Sequence, residues 1–180
     1  MARVVGGYGA LEGAWQRLER GELALAEFAS EFDAQARAAG VELDSADLMR
    51  ALGGAALRPV MLGAIRRLRG TDLRVGALTN NWVTGPDHDE RLAPLRDEFH
   101  VFVESCKVGM RKPELPIYHL ACERLGTSPG EVIFLDDMGP NLKAARSLGM
   151  TTIKVAEPEA ALGELWAVLE REGKATGGAG

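Results

Sequence analysis

The chain has 180 residues, of which 46% are hydrophobic, so it is long enough for one compact domain with a hydrophobic core. Its net charge is −5, and no basic stripe with interleaved aromatic residues is present, which argues against a nucleic-acid partner. No apolar run reaches the roughly 18 residues of a membrane span, and the first residues lack the apolar core of a secretory signal. We therefore expect a soluble, cytoplasmic protein with no membrane partner; monomer and homodimer both stay open.

The first part of the chain has the pattern of helices. Between Ala10 and about Arg50, large apolar residues recur at three-, four- and seven-residue intervals, and Gly21 interrupts the pattern. These features predict a small helical lobe. Pro59 suits the first turn of a further helix and Gly70 suits its end, so we expect a helix over residues 59–69.

Short apolar strands alternate with helices after residue 70. The predicted strands cover residues 73–80, 100–105, 131–137 and 151–156. The predicted helices between them cover residues 87–98, 115–126 and 139–149. This alternation is typical of an α/β fold in which a parallel sheet has helices on both faces. The glycine-rich end of the chain predicts a disordered tail.

Polar side chains occur at the ends of three of the predicted strands. Thr79 and Asn80 end the first strand, Lys112 follows the second, and Asp136 and Asp137 end the third. Because the carboxyl ends of parallel strands meet at one edge, we expect these side chains to line one cleft. The hydroxyl, amide and ammonium groups suit a phosphate, and the carboxylates suit Mg²⁺.

Each of these residues also has an ordinary structural interpretation. Thr79 and Asn80 could form a turn or helix cap, Lys112 could be solvated, and an Asp pair at a strand end often caps the next helix. Their occurrence at three successive strand ends favours a functional site. Since side chains alternate along a strand, we expect Asp137 to bind the metal directly and Asp136 to support it.

Three segments resemble motifs of the haloacid dehalogenase (HAD)-like hydrolase superfamily. They are "GALTNNW", "VESCKVGMRKPELPIYHLACERLG" and "EVIFLDDMGPNLKAARSLGMTTIKV", and they are most similar to the branch that includes the N-terminal phosphatase domain of soluble epoxide hydrolase and the HAD domain of acyl-CoA dehydrogenase fusion proteins. "GALEGAWQRLERGELALAEF" resembles the start of that branch's helical cap. The resemblance implies a cap lobe over residues 1–56, a Rossmann-like core over 57–170 and a tail over 171–180.

The resemblance also implies roles for the strand-end residues. Thr79, with Asn80 beside it, matches the residue that binds the phosphoryl oxygens, and Lys112 matches the lysine that neutralises the nucleophile and phosphate. Lys107 does not match. Asp136 and Asp137 match the acidic pair that holds Mg²⁺. The implied activity is a magnesium-dependent phosphatase acting on a small phosphorylated molecule; dehalogenation is less expected, because dehalogenases of this superfamily need no magnesium.

The first motif of the superfamily is missing from the printed sequence. This motif is an Asp-x-Asp at the end of a first core strand, where one aspartate attacks phosphorus and the other acts as general acid and base. "ARVVGGYG" has no carboxylate, and the pair Asp44 and Asp47 follows no apolar strand. Loss of a nucleophile can cost on the order of 10⁶ in rate. We therefore expect the chain to be nearly inactive alone, either as a hydrolase that lacks its first strand or as a catalytically inactive binding module.

In the superfamily, the missing strand lies in the middle of the sheet, between the strands that end at Asn80 and Asp137. Burial of its apolar side chains would contribute on the order of 10 kcal/mol to the stability of the fold. Three solutions stay open: residues 3–5 partly fill the gap, a partner supplies the strand, or the natural protein begins upstream.

The remaining candidate residues have ordinary interpretations. Cys106 and Cys122 lack metal-ligand spacing and a disulfide-rich setting, so we expect buried free thiols. The three histidines are expected to be surface or packing residues, and the tryptophans to pack in the core or cap, with Trp82 also a candidate for the cleft wall. They are His88, His100, His119, Trp15, Trp82 and Trp166.

Overall fold

The computed structural model describes residues 13–52 and 58–174. The segment "ARVVGGYG" and the expected boundary between cap and core at residues 56 and 57 lie outside the described residues. So does most of the predicted tail, although Arg171 still belongs to the last helix and the Lys174 amide donates to the carbonyl of Leu169 over 3.0 Å.

The N-terminal lobe is helical, as predicted, and contains α1 (Ala14–Glu19), α2 (Leu25–Ala38) and α3 (Ser45–Leu52). Leu18, Phe28 and Phe32 are fully buried in its own apolar core, because they recur on the inner faces of α1 and α2. The predicted break at Gly21 is confirmed. Its φ of +73° is left-handed, and a Cβ there would lie 2.2 Å from the carbonyl oxygen of Cys106.

The rest of the described chain alternates helices and strands. The helices are α4 (Pro59–Arg69), α5 (His88–Arg96), α6 (Ser105–Val108), α7 (Leu115–Leu125), α8 (Gly139–Ser147) and α9 (Pro158–Arg171). The strands are β1 (Gly76–Thr79), β2 (Val101–Glu104), β3 (Ile133–Asp136) and β4 (Thr151–Lys154). The predicted strands are present but shorter than expected, with four residues each.

The four strands form two parallel pairs. β1 pairs with β2 in a register that sets Thr79 beside Glu104, and β3 pairs with β4 so that Asp136 lies beside Lys154. Each strand therefore has one sheet partner among the described residues. The expected parallel α/β arrangement is confirmed, but it is divided into two pairs of strands.

Helices cover both faces of the strands. On one face, Ala64 of α4 and Leu165 of α9 pack with Ile153 of β4. On the other face, Ile117 and Tyr118 of α7 pack with residues of β2 and α8. These two apolar clusters fix the positions of the strand ends.

Apolar side chains surround a cavity of about 600 Å³ between the two strand pairs. β1 and β3 form its sides, whereas β2 contributes only Val101 and β4 contributes no residue. The cavity lies where the sequence analysis expects the first core strand. In the part of the chain that the structure describes, no helix has the length and apolar character needed to cross a membrane.

Candidate functional site

The centre of the candidate site is an ion pair between the loop after α6 and the end of β3. The Lys112 Nζ donates to Asp136 Oδ2 over 2.7 Å, and the side chains are 12% and 4% exposed. Lys112 follows α6 in the loop after β2, whereas Asp136 is the last residue of β3. The structure thus brings together two residues that the sequence predicts at one edge.

Asp136 also connects β3 to the start of α8. Its Oδ1 accepts hydrogen bonds from the Met138 amide over 2.8 Å and from Asn141 Nδ2 over 2.9 Å. Both carboxylate oxygens therefore have donors, which fixes the orientation of this buried side chain. The sequence analysis did not predict that Asn141 belongs to the site. Its position in the first turn of α8, five residues after Asp136, is the one sequence feature that could have indicated this contact.

Asp137 differs from its neighbour because β3 ends at Asp136. Asp137 is exposed and lines a small cleft with Asp136, Arg58 and residues at the ends of β3 and β4. An exposed carboxylate beside a buried, fully bonded one is the arrangement expected if Asp137 binds a cation and Asp136 provides support.

Asn80 binds the backbone of Lys112 through its side-chain amide. Its Oδ1 accepts from the Lys112 amide over 2.9 Å, and its Nδ2 donates to the Lys112 carbonyl oxygen over 2.9 Å. The Asn80 side chain thus fixes the Lys112 backbone, because its amide oxygen binds the Lys112 N–H and its amide nitrogen binds the Lys112 carbonyl oxygen. Thr79, by contrast, makes one long contact of 3.5 Å to the Asn80 carbonyl oxygen, which leaves its hydroxyl available for a ligand.

A second polar group joins the cap to this loop. Glu19 of α1 is buried, accepts from Arg111 and lies 3.4 Å from Asn80 Nδ2. Burial raises the pKa of Glu19, and the charge of Arg111 partly offsets this effect. Arg20 and Glu114 form a second ion pair between cap and loop, at 3.1 Å. These partners are more than 90 residues apart, so no local sequence pattern indicates them.

A third polar network joins the end of β2 to the residues that follow β1. Glu104 is 4% exposed; Asn81 Nδ2 donates to its Oε1 over 2.9 Å, and Arg96 donates to its Oε2 over 2.7 Å. His88 Nε2 lies 3.0 Å from the same carboxylate. Burial favours a higher pKa for Glu104, but the hydrogen bonds from Asn81, His88 and Arg96 outweigh it and lower the pKa below its ordinary value.

This network confirms His88 as a packing residue. His88, Glu104 and Cys106 have potential ligand atoms within 4.8 Å of one another, but Glu104 already bonds Arg96 and Asn81. Lys107 contacts Asp89 and lies 3.5 Å from Glu104, so it belongs to this network and not to the Lys112 site.

The other side chains behave mostly as expected. Trp82 contacts Trp15 edge-to-face with ring centroids 5.5 Å apart, which assigns both to cap packing. Asp44 caps α3 by accepting from the amides of Ala46 and Asp47. Both cysteines are free, but only Cys122 is buried. The expectation of a fully buried Cys106 thiol is wrong, because Cys106, in α6, is only partly buried.

Two parallel strand pairs with helices on both faces and a helical lobe define an α/β protein with a cap lobe and polar strand ends. The family model of haloacid dehalogenase-like hydrolases matches residues 4–149. The chain belongs to this family.

Known relatives agree with this assignment. The chain is 48% identical over 112 residues to the mouse protein "Acyl-CoA dehydrogenase family member 10", covering 62% of this chain and 10% of the relative. It is 35% identical over 167 residues to the rat "Bifunctional epoxide hydrolase 2", covering 86% and 30%. It is 30% identical over 156 residues to the "Sesquiterpene phosphatase astK" of Aspergillus oryzae, covering 84% and 76%.

A solved HAD family enzyme from Bacteroides thetaiotaomicron, in complex with magnesium and inorganic phosphate, has the same fold. Its TM-score is 0.58 at 24% identity, over 80% of this chain and 75% of that one. The chain spans less than a third of the mouse and rat relatives, so each of those proteins is much longer than the region it shares with this chain.

Proposed function

We propose that this chain contains the phosphate- and magnesium-binding part of a phosphatase that acts on a small phosphorylated molecule. The observation that supports this most directly is the ion pair, at 2.7 Å, between Lys112 in the loop after α6 and Asp136 at the end of β3. The Lys112 ammonium is held in place by the buried Asp136, and the next residue, Asp137, presents an exposed carboxylate; such opposite charges suit a phosphate and its metal ion.

In this proposal, Lys112 and Thr79 bind the phosphoryl oxygens. Lys112 donates from one side as a fixed positive charge, and the Thr79 hydroxyl donates from the end of β1. Asn80 acts as a positioning residue, because its amide holds the Lys112 peptide groups on both sides. Since Asp136 and Asn80 hold Lys112 in place, little reorganisation of this donor is needed when charge develops on the phosphoryl group.

The acidic pair fits Mg²⁺ by its donor chemistry. Mg²⁺ prefers hard oxygen ligands and is commonly held by one or two carboxylates together with waters and substrate phosphates. Asp137 is exposed and can bind directly, while Asp136 has donors on both oxygens and supports it. When bound, the ion would neutralise negative charge on the phosphate.

The comparisons support the phosphatase proposal. One relative is named a sesquiterpene phosphatase, another is a bifunctional epoxide hydrolase, and the structural neighbour contains magnesium and inorganic phosphate. These properties belong to those proteins; for this chain, the sequence likeness to a named phosphatase supports phosphoryl chemistry.

A catalytically inactive binding module is the second candidate. The printed sequence has no Asp-x-Asp at the end of an apolar strand, so the proposed site has no nucleophile. Such a module would use Lys112 and Thr79 to bind a phosphorylated ligand without cleaving it.

The test adds an apolar strand that ends in Asp-x-Asp to the N-terminus and measures phosphate release from an aryl phosphate. We expect magnesium-dependent release, which Asp137→Ala abolishes. Equal activity in Asp137→Ala would eliminate the metal assignment. No release from the extended chain, together with orthophosphate binding that Lys112→Met weakens, would favour the binding module.

A further inference from the structure

A buried carboxylate of the cap lies against the loop that carries Lys112. Glu19 is the last residue of α1, and its side chain is 8% exposed. Arg111 Nε donates to Glu19 Oε2, and Asn80 Nδ2 donates to the same oxygen over 3.4 Å. One oxygen of the cap therefore contacts both the residue before Lys112 and the asparagine that holds the Lys112 backbone.

Glu19 favours one of the two possible orientations of the Asn80 amide. Asn80 Nδ2 has two N–H groups, and it donates to the Lys112 carbonyl oxygen over 2.9 Å as well as to Glu19. A flipped amide would set Oδ1 against that carbonyl oxygen and the carboxylate, and these acceptors repel one another. It would also remove the acceptor of the Lys112 N–H. The Glu19 carboxylate thus stabilises the amide orientation that fixes Lys112.

Arg111 provides a second connection between Glu19 and Lys112, because it directly precedes Lys112 in the chain. The Arg111 N–H donates to Glu114 Oε2 over 3.1 Å, and its carbonyl oxygen accepts from the Glu114 N–H over 2.8 Å. Glu114 therefore holds the backbone of Arg111, and Glu19 holds its guanidinium. Such a bonded network leaves the next residue little conformational freedom.

The same ion pair separates the roles of two neighbouring cations. A free guanidinium is itself a strong phosphate ligand, and Arg111 is adjacent to the lysine that we propose for phosphate binding. Its pairing with Glu19 holds the guanidinium at the cap, whereas the Lys112 ammonium bonds Asp136 at the end of β3. Loss of Glu19 would release Arg111 and loosen Lys112 at the same time.

From these contacts we infer that Glu19 is a positioning residue for Lys112, through which the docked cap sets the place of the phosphate-binding ammonium. The inference rests on the proposed function of Lys112. Glu19 does not contact the phosphate; it acts through Asn80 and Arg111. The cap lobe then contributes to the anion site of the core.

Hydrogen exchange of the Lys112 N–H tests the positioning without a ligand. This N–H donates to Asn80 Oδ1 over 2.9 Å, so its exchange rate reports how often that contact opens. Glu19→Met keeps the length of the side chain but removes its acceptor oxygens, and we expect exchange at least about tenfold faster. Glu19→Gln retains one acceptor oxygen and should restore most of the protection. The Thr151 N–H, which donates to the Val132 carbonyl oxygen, is the internal control and should exchange at the wild-type rate.

Orthophosphate binding tests the consequence for the anion site. Phosphorus NMR titrations of the full chain with Mg²⁺ present give the Kd of each variant, and circular dichroism confirms that the variants fold. We expect Glu19→Met to weaken binding about tenfold and Lys112→Met to weaken it further. Glu31→Gln is the matched control; it breaks an ion pair with Arg17 inside the cap, at 2.7 Å, and should leave Kd unchanged.

The outcomes distinguish this inference from the proposed function. Unchanged exchange of the Lys112 N–H in Glu19→Met, or an equal increase at Thr151, would overturn the inference. Tighter phosphate binding in Glu19→Met would also overturn it, because the released Arg111 would then bind the anion. If Lys112→Met binds phosphate as the wild type does, while Glu19→Met still speeds exchange at Lys112 alone, the proposed function fails and the positioning by Glu19 stands.

Discussion

Replacement of Asp136 by alanine tests the geometry of the candidate site through stability. The substitution removes the partner of the Lys112 ammonium, which is only 12% exposed, and leaves that charge unpaired. It also removes the acceptor for the buried Asn141 amide and for the Met138 N–H. The structure therefore predicts a loss much larger than that of an average surface substitution.

The expected magnitude follows from the burial of the pair. Removing one partner of a buried ion pair costs about 3–5 kcal/mol, which is a large part of the 5–15 kcal/mol that stabilises a typical domain. The loss of an acceptor for the Met138 N–H and for the Asn141 side chain lowers the free energy of unfolding further. Asp136→Asn keeps an acceptor for α8 but loses the charge, so its loss should be intermediate.

The assay is urea unfolding of the wild type and variants, followed by circular dichroism. Asp137→Ala is the matched control; it removes an exposed carboxylate and should change the free energy of unfolding by about 0.5 kcal/mol or less. A double-mutant cycle with Lys112→Met should give a coupling energy of about 0.5–3 kcal/mol. Equal losses for Asp136→Ala and Asp137→Ala, or a coupling energy near zero, would refute this reasoning.

Three further predictions use other parts of the structure. Asn80→Ala removes both hydrogen bonds to the Lys112 backbone and should lower the free energy of unfolding by about 1–3 kcal/mol in urea titrations; an unchanged midpoint would contradict its positioning role. Gly21→Ala should destabilise by more than about 1 kcal/mol, because its φ is +73° and a Cβ would overlap a carbonyl oxygen of α6, whereas Gly63→Ala, in open space within α4, should stabilise by about 0.4–1 kcal/mol. The pKa of Glu104 is lowered in the folded state, so its contribution to stability is present above the unfolded-state pKa of a glutamate, about 4.3, and disappears as the pH falls through the folded-state pKa. Thermal melts should show a loss for Glu104→Gln at pH 7 that shrinks in acid. A loss that is constant with pH would contradict the last prediction.

The secondary structure follows from the sequence because each element has a local signal. The apolar spacing of Leu18, Phe28 and Phe32 indicates the cap helices, and Pro59 marks the start of α4 as predicted. The strands are shorter than predicted because the backbone pairs at only four positions in each strand pair, whereas the apolar runs in the sequence are longer. Within the described residues the sheet is divided into two strand pairs, and no pattern within β1 or β3 indicates this division.

The candidate site is predictable in position but not in its internal contacts. The strand-end rule predicts that Lys112 and Asp136 lie at one edge, and the structure brings them together. The hydrogen bonds from Asn80 to the Lys112 backbone could not be predicted. An asparagine that binds a ligand and one that binds a backbone look the same in the sequence. Glu19 and Arg111 were missed because their contact joins residues 92 positions apart.

The central claim concerns the acidic pair as a cation site, and Mn²⁺ tests it most directly. Mn²⁺ uses the same hard ligands as Mg²⁺ and broadens the NMR signals of nearby residues. The account predicts broadening centred on Asp136, Asp137 and Met138 that Asp137→Ala removes. Broadening centred instead on His88 and Cys106, or broadening that Asp137→Ala leaves unchanged, would contradict it.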